Sequence, residues 1–355
     1  MFDNDKNKGI CVAIGASHAG VNLAFALRRE GWEGQIILYD ADPELPYYRP
    51  PMSKTYLTNE EDVSVKPLKS AESYERNNIQ LNLGIKVASI DCKAKKIVLE
   101  DGSTQTYNKL VLAIGARPLV PTITGLANAK NVFPLRTAAD VEGIRNSLGG
   151  IPEKKVVVIG GGYIGLEIAA SLKKVGAYVT VLEREQRILA RITAPEMSNF
   201  FHELHKDNGV DVLTGKNVTS IEVDNAINKV VCSDSSIYLA DIIIIGVGIR
   251  VNTELAEKAG LTIENGIKVD SATRTSDKNI YSIGDCTFHH NPHYDKYIRL
   301  ESVQNAVDQA KVAAASICGK EVVYDAIPWF WSDQYDVKLQ IMISFRLHFS
   351  QAHNS

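Results

Sequence analysis

Two segments of the chain share one order of apolar, glycine-rich and amphipathic residues. Apolar runs at 10–14 and 156–159 each lead into a glycine-rich turn, and runs with helical spacing follow at 21–29 and 166–174. A strand, a glycine turn and a helix in this order form the unit that holds the pyrophosphate of a dinucleotide at a helix N-terminus. One such unit is weak evidence, whereas two predict two dinucleotides.

The two turns differ at one position. The first turn consists of Gly15, Ala16, Ser17, His18, Ala19 and Gly20, and the second of Gly160, Gly161, Gly162, Tyr163, Ile164 and Gly165. In such turns the first glycine makes the tight bend, the middle one leaves room for the pyrophosphate, and the last lets the helix pack on the strand. Because Ser17 stands where the second turn has Gly162, the first turn is the more crowded one.

An acidic residue after the second strand of each unit is expected to hold a ribose diol. In the second unit this residue is Glu183. Its carboxylate repels a 2′-phosphate, which favours NADH over NADPH, although Arg184 and Arg187 nearby leave NADPH open. In the first unit Asp40 and Asp42 both qualify.

Strand-like and helix-like segments alternate along the chain, which predicts an α/β fold with parallel sheets. Apolar runs that end in glycine recur at 109–115, 241–248 and 280–284, as expected for ligand sites at the carboxyl ends of parallel strands. The segment 45–54 contains several prolines and is predicted to be neither a helix nor a central strand.

Composition excludes several classes of protein. The net charge of −3 over 355 residues gives no basic excess for nucleic acid. The apolar run at 242–249 is shorter than the ~18 residues that a membrane span needs, and the polar N-terminus is unlike a secretory signal. The five cysteines are far apart, and no Cys-x-x-Cys pair lies near either turn. These features predict a soluble, cytoplasmic protein with reduced thiols.

Six further motifs resemble one known family. They are Arg49-Pro-Pro-Met-Ser-Lys54, Leu135-Arg136-Thr137-x-x-Asp140, the run Gly160–Glu167, Gly284-Asp285-Cys286, Glu301-Ser-Val303-x-Asn305 and Trp329-Phe-Trp331-Ser-Asp-Gln-Tyr335. In this order they are similar to the FAD-dependent ferredoxin reductases, which include putidaredoxin reductase, rubredoxin reductases and the reductase components of aromatic-ring dioxygenases. The resemblance extends from about residue 9 to about residue 341.

This resemblance implies two Rossmann-like domains of the glutathione-reductase type. The FAD-binding domain would be discontinuous, formed by residues 1–118 and 251–327, and the NADH-binding domain would comprise 119–250. Residues 328–355 would form a remnant of the family's C-terminal interface domain, since the tail after Ile341 lacks the glycine-containing continuation typical of the family. We therefore expect a truncated interface domain.

The resemblance also implies cofactor contacts. Those to FAD would be the first glycine turn with Asp42, Arg49, Lys54, Val87, Ala113, Arg136, Asp285 and Val303. Asp42 is preferred to Asp40 because it keeps the family's distance to Leu45-Pro46. Those to NADH would be residues 159–164, Glu183 and the turn from Gly246 to Gly248. Trp331 matches the family's aromatic residue at the flavin face and at the carrier-docking side.

Lys54 and Glu167 are the candidate catalytic residues. A reduced flavin is anionic, so a lysine beside it would stabilise the negative charge, and a glutamate on the nicotinamide side would hold that lysine in place. Without the resemblance each would be read as a solvated surface residue.

The implied activity is electron transfer from NADH through FAD to a small iron–sulfur ferredoxin, or to a rubredoxin, which then supplies an oxygenase. We expect a monomer or a homodimer. One alternative is an NADH oxidase of the same fold, which usually has a redox cysteine after the first unit, whereas residues 41–60 contain none. The other is an inactive or truncated flavoprotein that acts as a binding partner, similar to apoptosis-inducing factor.

Two histidine clusters are predicted to have no metal-binding role. His202 and His205 are one residue short of the spacing used in zinc proteases, and metal binding is not expected there. His289, His290 and His293 are predicted to lie, solvated, in a loop that contains proline.

Overall fold

Helices and strands alternate in the computed structural model, which describes residues 7–58, 65–149, 153–225 and 227–342. This confirms the predicted α/β class. The α-helices in the described residues are α1 His18–Arg29, α2 Thr55–Thr58, α3 Ala71–Arg76, α4 Ala138–Leu148, α5 Tyr163–Lys174, α6 Pro195–Asp207, α7 Glu254–Lys258 and α8 Val303–Ile317. Short 3-10 helices occur at Pro50–Ser53, Leu126–Asn128 and Gly284–Cys286.

The strands of the first half of the chain are β1 Ile10–Ile14, β2 Gln35–Tyr39, β3 Ile79–Asn82, β4 Val87–Asp91, β5 Lys96–Leu99, β6 Thr104–Thr106, β7 Lys109–Leu112, β8 Ala116–Pro118, β9 Val132–Phe133, β10 Lys155–Ile159 and β11 Tyr178–Leu182. Those of the second half are β12 Asp211–Leu213, β13 Val218–Asp224, β14 Ile227–Cys232, β15 Ile237–Ala240, β16 Ile242–Ile245, β17 Ile249–Val251, β18 Ile267–Val269, β19 Ile280–Ser282, β20 Thr287–Asn291, β21 Lys296–Ile298, β22 Trp329–Gln334 and β23 Val337–Met342.

The first five-stranded sheet is parallel and has the order β19-β7-β1-β2-β3. Its inner strands β1, β2 and β7 are apolar on both faces, which suits a parallel sheet covered on both sides. Helices α1 and α8 contribute to the same hydrophobic core, with Leu23, Leu27 and Ala310 fully buried. Because β19 comes late in the chain, this sheet combines segments from before and after the second sheet.

The second five-stranded sheet is also parallel, in the order β12-β11-β10-β16-β9. The interior strand β16, between β10 and β9, is buried along its whole length, and α5 packs its apolar face on the sheet. The same core includes Met52, Leu57 and Leu339, which come from other parts of the chain. Residues around Lys54 and the hairpin formed by β22 and β23 are therefore anchored on the second sheet.

Smaller antiparallel units complete the described fold. Three three-stranded sheets have the orders β4-β5-β6, β13-β14-β15 and β18-β20-β21, the last with β18 parallel to β20. Strands β8 and β17 pair antiparallel where the chain crosses between the two large sheets. At this crossing the Arg117 guanidinium lies 2.5 Å from Glu254 Oε1. The domain limits predicted from the sequence remain predictions.

Two local predictions were wrong. The proline-rich segment contains the 3-10 helix Pro50–Ser53, because proline is well suited to the first position of a helical turn. The histidine segment begins with strand β20, in which Thr287, His289 and Asn291 alternate inward and are buried. The tail beyond Met342 lies outside the described residues, and so the expectation about it is not tested.

Within the described ranges, each helix is too short or too polar to cross a membrane.

We predict that Ile244→Ala strongly destabilises the protein, because Ile244 is fully buried in the middle of the second sheet. Truncation of a buried isoleucine costs about 2–5 kcal/mol, through lost apolar burial and the cavity left behind. Urea denaturation of the variant measures this loss. The matched control is Ile237→Ala on β15, where the side chain is 56% exposed. Equal shifts of the two urea midpoints would contradict the described packing of β16.

Candidate functional site

A large cleft lies where the carboxyl ends of the first sheet face α5 and the hairpin β22–β23. It encloses about 1100 Å³ of space between atoms, part of which is open to solvent. Thirteen of the residues predicted from the sequence line it, namely Ser17, His18, Ala19, Arg49, Lys54, Ala113, Arg136, Tyr163, Ile164, Glu167, Asp285, Val303 and Trp331. The structure therefore brings together residues that are distant in the sequence.

A second, smaller cavity of about 220 Å³ continues the cleft. It shares Ser17 and Arg49 with the large cleft and adds Ala16, Asp40 and Asp42. Together the two cavities form one elongated site that runs along the first glycine turn. An elongated site suits an extended dinucleotide better than a compact metabolite.

The backbone of the first glycine turn is held close to its neighbours. Gly15 has a φ of +102°, and a Cβ there would lie 2.7 Å from the carbonyl carbon of Ala113. A Cβ on Gly20 would collide with the carbonyl oxygen of Gly15. Both positions therefore require glycine, for the bend and for the close packing of α1 on β1.

The N-terminus of α1 keeps its first-turn N–H groups free of a side-chain cap. Ser17 is the N-cap residue, but its side chain makes no capping hydrogen bond to the helix. Its hydroxyl oxygen instead accepts a hydrogen bond from Arg49 Nε at 2.9 Å. A helix N-terminus with unpaired N–H groups beside a guanidinium is a suitable site for a phosphate.

The two acids of the first unit make different contacts. Asp40 Oδ2 accepts a hydrogen bond from the Ala16 N–H at 2.5 Å, and Asp42 Oδ2 accepts one from the Tyr47 hydroxyl at 2.9 Å. In the second unit Glu183 Oε2 accepts a hydrogen bond from the Gly161 N–H at 2.6 Å. Asp40 is thus the geometric equivalent of Glu183, while both Asp40 and Asp42 line the smaller cavity.

The second glycine turn is built in the same way, but its glycines lie outside both cavities, whereas Tyr163 and Ile164 line the large cleft. A Cβ on Gly160 would lie 2.7 Å from the carbonyl carbon of Gly246, and one on Gly165 would collide with the carbonyl oxygen of Gly160. A Cβ on Gly162 would meet no atom within 4 Å, so the space above this glycine is open. With Glu183 beside it, this turn forms a second candidate dinucleotide site at the carboxyl end of the second sheet.

Arginine side chains supply positive charge to the cleft. Arg49 donates to the carbonyl oxygen of Arg136, and the Arg136 guanidinium lies 3.3 Å from Asp285 Oδ2. The backbone at Arg136 is fixed by the capping box of α4, in which Asp140 accepts hydrogen bonds from the N–H groups of Arg136 and Thr137, both at 2.8 Å. In the described part of the chain Arg49 forms no ion pair.

Lys54 and Glu167 form an ion pair inside the cleft. Lys54 Nζ lies 2.7 Å from Glu167 Oε2, and the Glu167 side chain is only 2% exposed. Lys54 follows the 3-10 helix Pro50–Ser53, and Glu167 lies in the second turn of α5. Because a buried carboxylate is stable only with partners, the structure holds these two side chains together.

His18 is neutral at physiological pH. Burial, together with the positive charges of Arg49 and Arg136, lowers the pKa of this histidine to about 4. Its Nε2 atom is buried and has no hydrogen-bond partner among the described residues. Burial also raises the pKa of Tyr163, with the negative charges of Glu301 and Asp285 contributing. Both residues therefore line the cleft as uncharged groups.

Some residues predicted to contact a cofactor do not line either cavity, and some lining residues were not predicted from the sequence. Val87 is buried in β4 and lines neither cavity, and the turn from Gly246 to Gly248 belongs to the second site. The missed lining residues are mostly sequence neighbours of the predicted ones, namely Pro50, Met52, Ser53, Gly115, Leu135, Ile283, Gly284, Glu301, Ser302, Ala306 and Phe330. Because these residues adjoin the motifs in sequence, the motifs could have indicated that they line the cleft.

The structure shows the surroundings of His205 on α6. His205 is fully buried, and its Nε2 atom lies 2.8 Å from Gln334 Oε1. Its Nδ1 atom lies 3.1 Å from the Tyr335 hydroxyl. Both ring nitrogens of His205 are thus engaged with the hairpin β22–β23.

Together the fold and the site define a protein that binds two dinucleotides at the carboxyl ends of two parallel sheets. The elongated cleft, the crowded glycine bend and the uncapped N-terminus of α1 fit FAD, and the second turn with its acid fits NADH. The chain belongs to the pyridine nucleotide-disulphide oxidoreductase family, whose model matches residues 10–310.

Relatives of known activity support the resemblance inferred from the motifs. The chain is 42% identical over 336 residues to the putidaredoxin reductase of Pseudomonas putida, covering 93% of this chain and 79% of that protein. It is 39% identical to a rubredoxin-NAD(+) reductase of the same organism, covering 93% and 85%. The fold matches the reductase in the covalent putidaredoxin reductase–putidaredoxin complex with a TM-score of 0.89 and 40% identity, covering 94% of this chain and 80% of that one.

The cysteines of this chain lie away from the site. All five are free, and none lines either cavity in the described structure. Cys286, beside Asp285, is buried, and burial raises the pKa of its thiol. The cleft therefore offers no thiolate for disulphide chemistry, and the redox cysteine typical of the oxidase alternative has no counterpart in it.

We predict that His18→Gln makes stability less sensitive to mild acid. The pKa of His18 is about 6.5 in the unfolded chain and about 4 in the folded one, so the unfolded state binds the extra proton between these values. Stability is then lost as the pH falls from about 6.5 towards 4, by about 2 kcal/mol at pH 5. Denaturation at pH 7 and pH 5 measures the difference, which should shrink by this amount in the variant.

His289→Gln is expected to act in the same direction, because burial also lowers the pKa of His289 to about 4. An unchanged difference between pH 7 and pH 5 in His18→Gln would show that His18 does not resist protonation in the folded protein.

Proposed function

We propose that this protein is an FAD-dependent NADH:ferredoxin oxidoreductase that reduces a small iron–sulfur protein, a ferredoxin or a rubredoxin, which then supplies an oxygenase. The observation that carries the proposal is the Lys54–Glu167 ion pair buried in a cleft that begins at one dinucleotide turn and ends against the helix of the other. The relatives named as putidaredoxin and rubredoxin reductases support it.

FAD would be bound along the first glycine turn. The N–H groups at the start of α1 and the Arg49 guanidinium would hold the diphosphate, because Arg49 donates only to neutral oxygens in the described structure. Asp42 and Asp40 would bind the adenosine ribose from the smaller cavity. Ala113, Arg136, Asp285 and Val303 would line the flavin end.

NADH rather than NADPH would be bound at the second turn. Glu183 stands where a 2′-phosphate would lie and repels it. The nearby arginines are already engaged, since Arg187 donates to the Thr193 and Ala190 carbonyl oxygens at 2.7 and 2.8 Å. Arg184 lies 3.0 Å from Glu185. Both arginines thus already have oxygen partners within the chain.

FAD, when bound, supplies two-electron oxidation of NADH and one-electron release to the carrier. The chain's own contribution is to fix charge near the ring. The Lys54 ammonium, oriented by Glu167, provides positive charge where negative charge develops, and the N-terminus of α8 at Val303 adds the positive end of a helix dipole. Both groups are held in place before reduction begins.

Aromatic residues close the cleft on the nicotinamide side. The rings of Tyr163 and Phe330 have centroids 5.6 Å apart, and both residues line the cleft with Trp331. Trp329, whose ring centroid lies 5.5 Å from that of Trp331, is 40% exposed. We propose that this aromatic group excludes water from the reacting rings and faces the iron–sulfur carrier.

The remaining parts of the proposal concern organisation and location. We assign the FAD site to residues 1–118 and 251–327 and the NADH site to 119–250. Five free cysteines are consistent with a reducing compartment, and we place the protein in the cytoplasm.

We predict that the purified protein is yellow and reduces cytochrome c with NADH only when an iron–sulfur ferredoxin is added. Absorbance of the flavin and of reduced cytochrome c measures both properties. Peroxide formation from NADH without ferredoxin would favour the oxidase alternative. A colourless protein that does not take up FAD would favour the non-catalytic one.

We predict that Lys54→Met slows reduction of the bound flavin by NADH about ten-fold or more, because the variant loses the positive charge that stabilises the reduced ring. Stopped-flow absorbance of the oxidised flavin measures the rate. The control is Lys311→Met on α8, where the lysine lies 2.9 Å from Asp308 and is exposed. An unchanged rate in Lys54→Met would exclude the role given to Lys54.

A further inference from the structure

We propose that Ser332 and Gln334 of the hairpin β22–β23 are positioning residues for Lys54, linked to it by a buried chain of hydrogen bonds through Glu167. This inference rests on the proposed function, in which Lys54 is the reacting cation. It assigns to the hairpin a role in the chemistry of the cleft, in addition to carrying the aromatic residues.

The Glu167 carboxylate receives four donors. Its Oε2 atom accepts from the Ser53 hydroxyl at 2.5 Å and from Lys54 Nζ at 2.7 Å. Its Oε1 atom accepts from the Ser332 hydroxyl at 2.7 Å and from the Asp333 N–H at 3.2 Å. The hairpin therefore holds one oxygen of the carboxylate while the segment around Lys54 holds the other. Rotation of the carboxylate would break contacts on both sides.

The chain of bonds continues away from Ser332. Gln334 Nε2 donates to the Ser332 hydroxyl oxygen at 3.2 Å, and Gln334 Oε1 lies 2.8 Å from His205 Nε2. The Tyr335 hydroxyl lies 3.1 Å from His205 Nδ1. Ser332, Gln334 and His205 are all fully buried.

The direction of each bond follows from the available protons. A hydroxyl has one proton, and because Ser332 accepts from the Gln334 amide, its own proton is free to point at Glu167. The Gln334 carbonyl oxygen can only accept, so the His205 proton lies on Nε2 and the Tyr335 hydroxyl donates to Nδ1. All donors then point towards the carboxylate.

A one-directional chain of this kind strengthens its last bond. Each donor polarises the next, and in a buried environment this makes the final hydroxyl a better donor to the carboxylate. Burial lowers the pKa of His205, which keeps the imidazole neutral and the direction of the chain unchanged. The carboxylate oxygen facing Lys54 is thereby held in one orientation by residues that do not line the cleft.

The test compares Ser332→Ala with the matched control Ser316→Ala, a buried serine on α8 whose hydroxyl accepts from Arg274 at 3.0 Å. The first readout is the rate at which formaldehyde and borohydride methylate Lys54 in the purified FAD-containing protein, followed by peptide mass spectrometry. We expect methylation about ten-fold faster in Ser332→Ala, because Nζ is less firmly held by a misoriented carboxylate, and unchanged in Ser316→Ala.

The second readout is the rate of flavin reduction by NADH in a double-mutant cycle with Lys54→Met. Ser332→Ala alone is expected to slow reduction about ten-fold, and it should add nothing in the Lys54→Met background. A similar further slowing in that background would show that Ser332 acts by another route and would overturn the inference. Unchanged methylation of Lys54 would overturn it as well.

Two further variants test the same chain of hydrogen bonds at Ser332 and at Gln334. Ser332→Cys preserves the size of the side chain but supplies only a weak donor, so it should move both readouts in the same direction as Ser332→Ala. Gln334→Leu removes the donor one step further away and should give a smaller shift of the same sign. If the flavin of Lys54→Met is reduced at the normal rate, the role given to Lys54 in the proposed function fails, while the methylation rates still decide whether Ser332 positions Lys54.

Discussion

The buried carboxylate of Glu167 is the constraint on which the arrangement of the cleft depends. A 2% exposed carboxylate has lost nearly all of its water and needs donors from the protein. These donors come from the segment around Lys54 and from the hairpin β22–β23, while Glu167 itself lies on α5. Three parts of the chain must therefore meet at one side chain, and the position of Lys54 is coupled to all of them.

The two glycine-rich turns have the same backbone arrangement. In each, the last glycine of the turn packs on the carbonyl oxygen of the first, and the first packs on a neighbouring strand end, at Ala113 in one sheet and at Gly246 in the other. In each, an acid after the second strand accepts a hydrogen bond from the turn. The surroundings of the two turns differ. The first turn opens into the large cleft, whereas the glycines of the second lie outside it, at the carboxyl end of their sheet.

Sequence patterns correctly predicted those elements whose residue types are determined by local interactions. Apolar runs and glycine turns identified β1, β10 and both turns, because a buried parallel strand and a tight bend impose their residue types directly. His289 was misplaced because the inward alternation of β20 includes polar residues, which look like a loop in sequence. The hydrogen bond of Ser332 to Glu167 was missed because the two residues are 165 positions apart and only the tertiary fold brings them together.

The basic side chains of the cleft differ in whether they have a carboxylate partner. Lys54 is paired with Glu167, and Arg136 lies beside Asp285, so both cations have a carboxylate partner in the described structure. His18 adds no further positive charge to the cleft because burial and the two arginines Arg49 and Arg136 lower its pKa to about 4. In the described structure Arg49 bonds only to the Ser17 hydroxyl and a carbonyl oxygen. Among the described residues, Arg49 at the start of α1 is therefore the cation of the cleft whose hydrogen bonds go to neutral oxygens alone, which suits the phosphate binding proposed there.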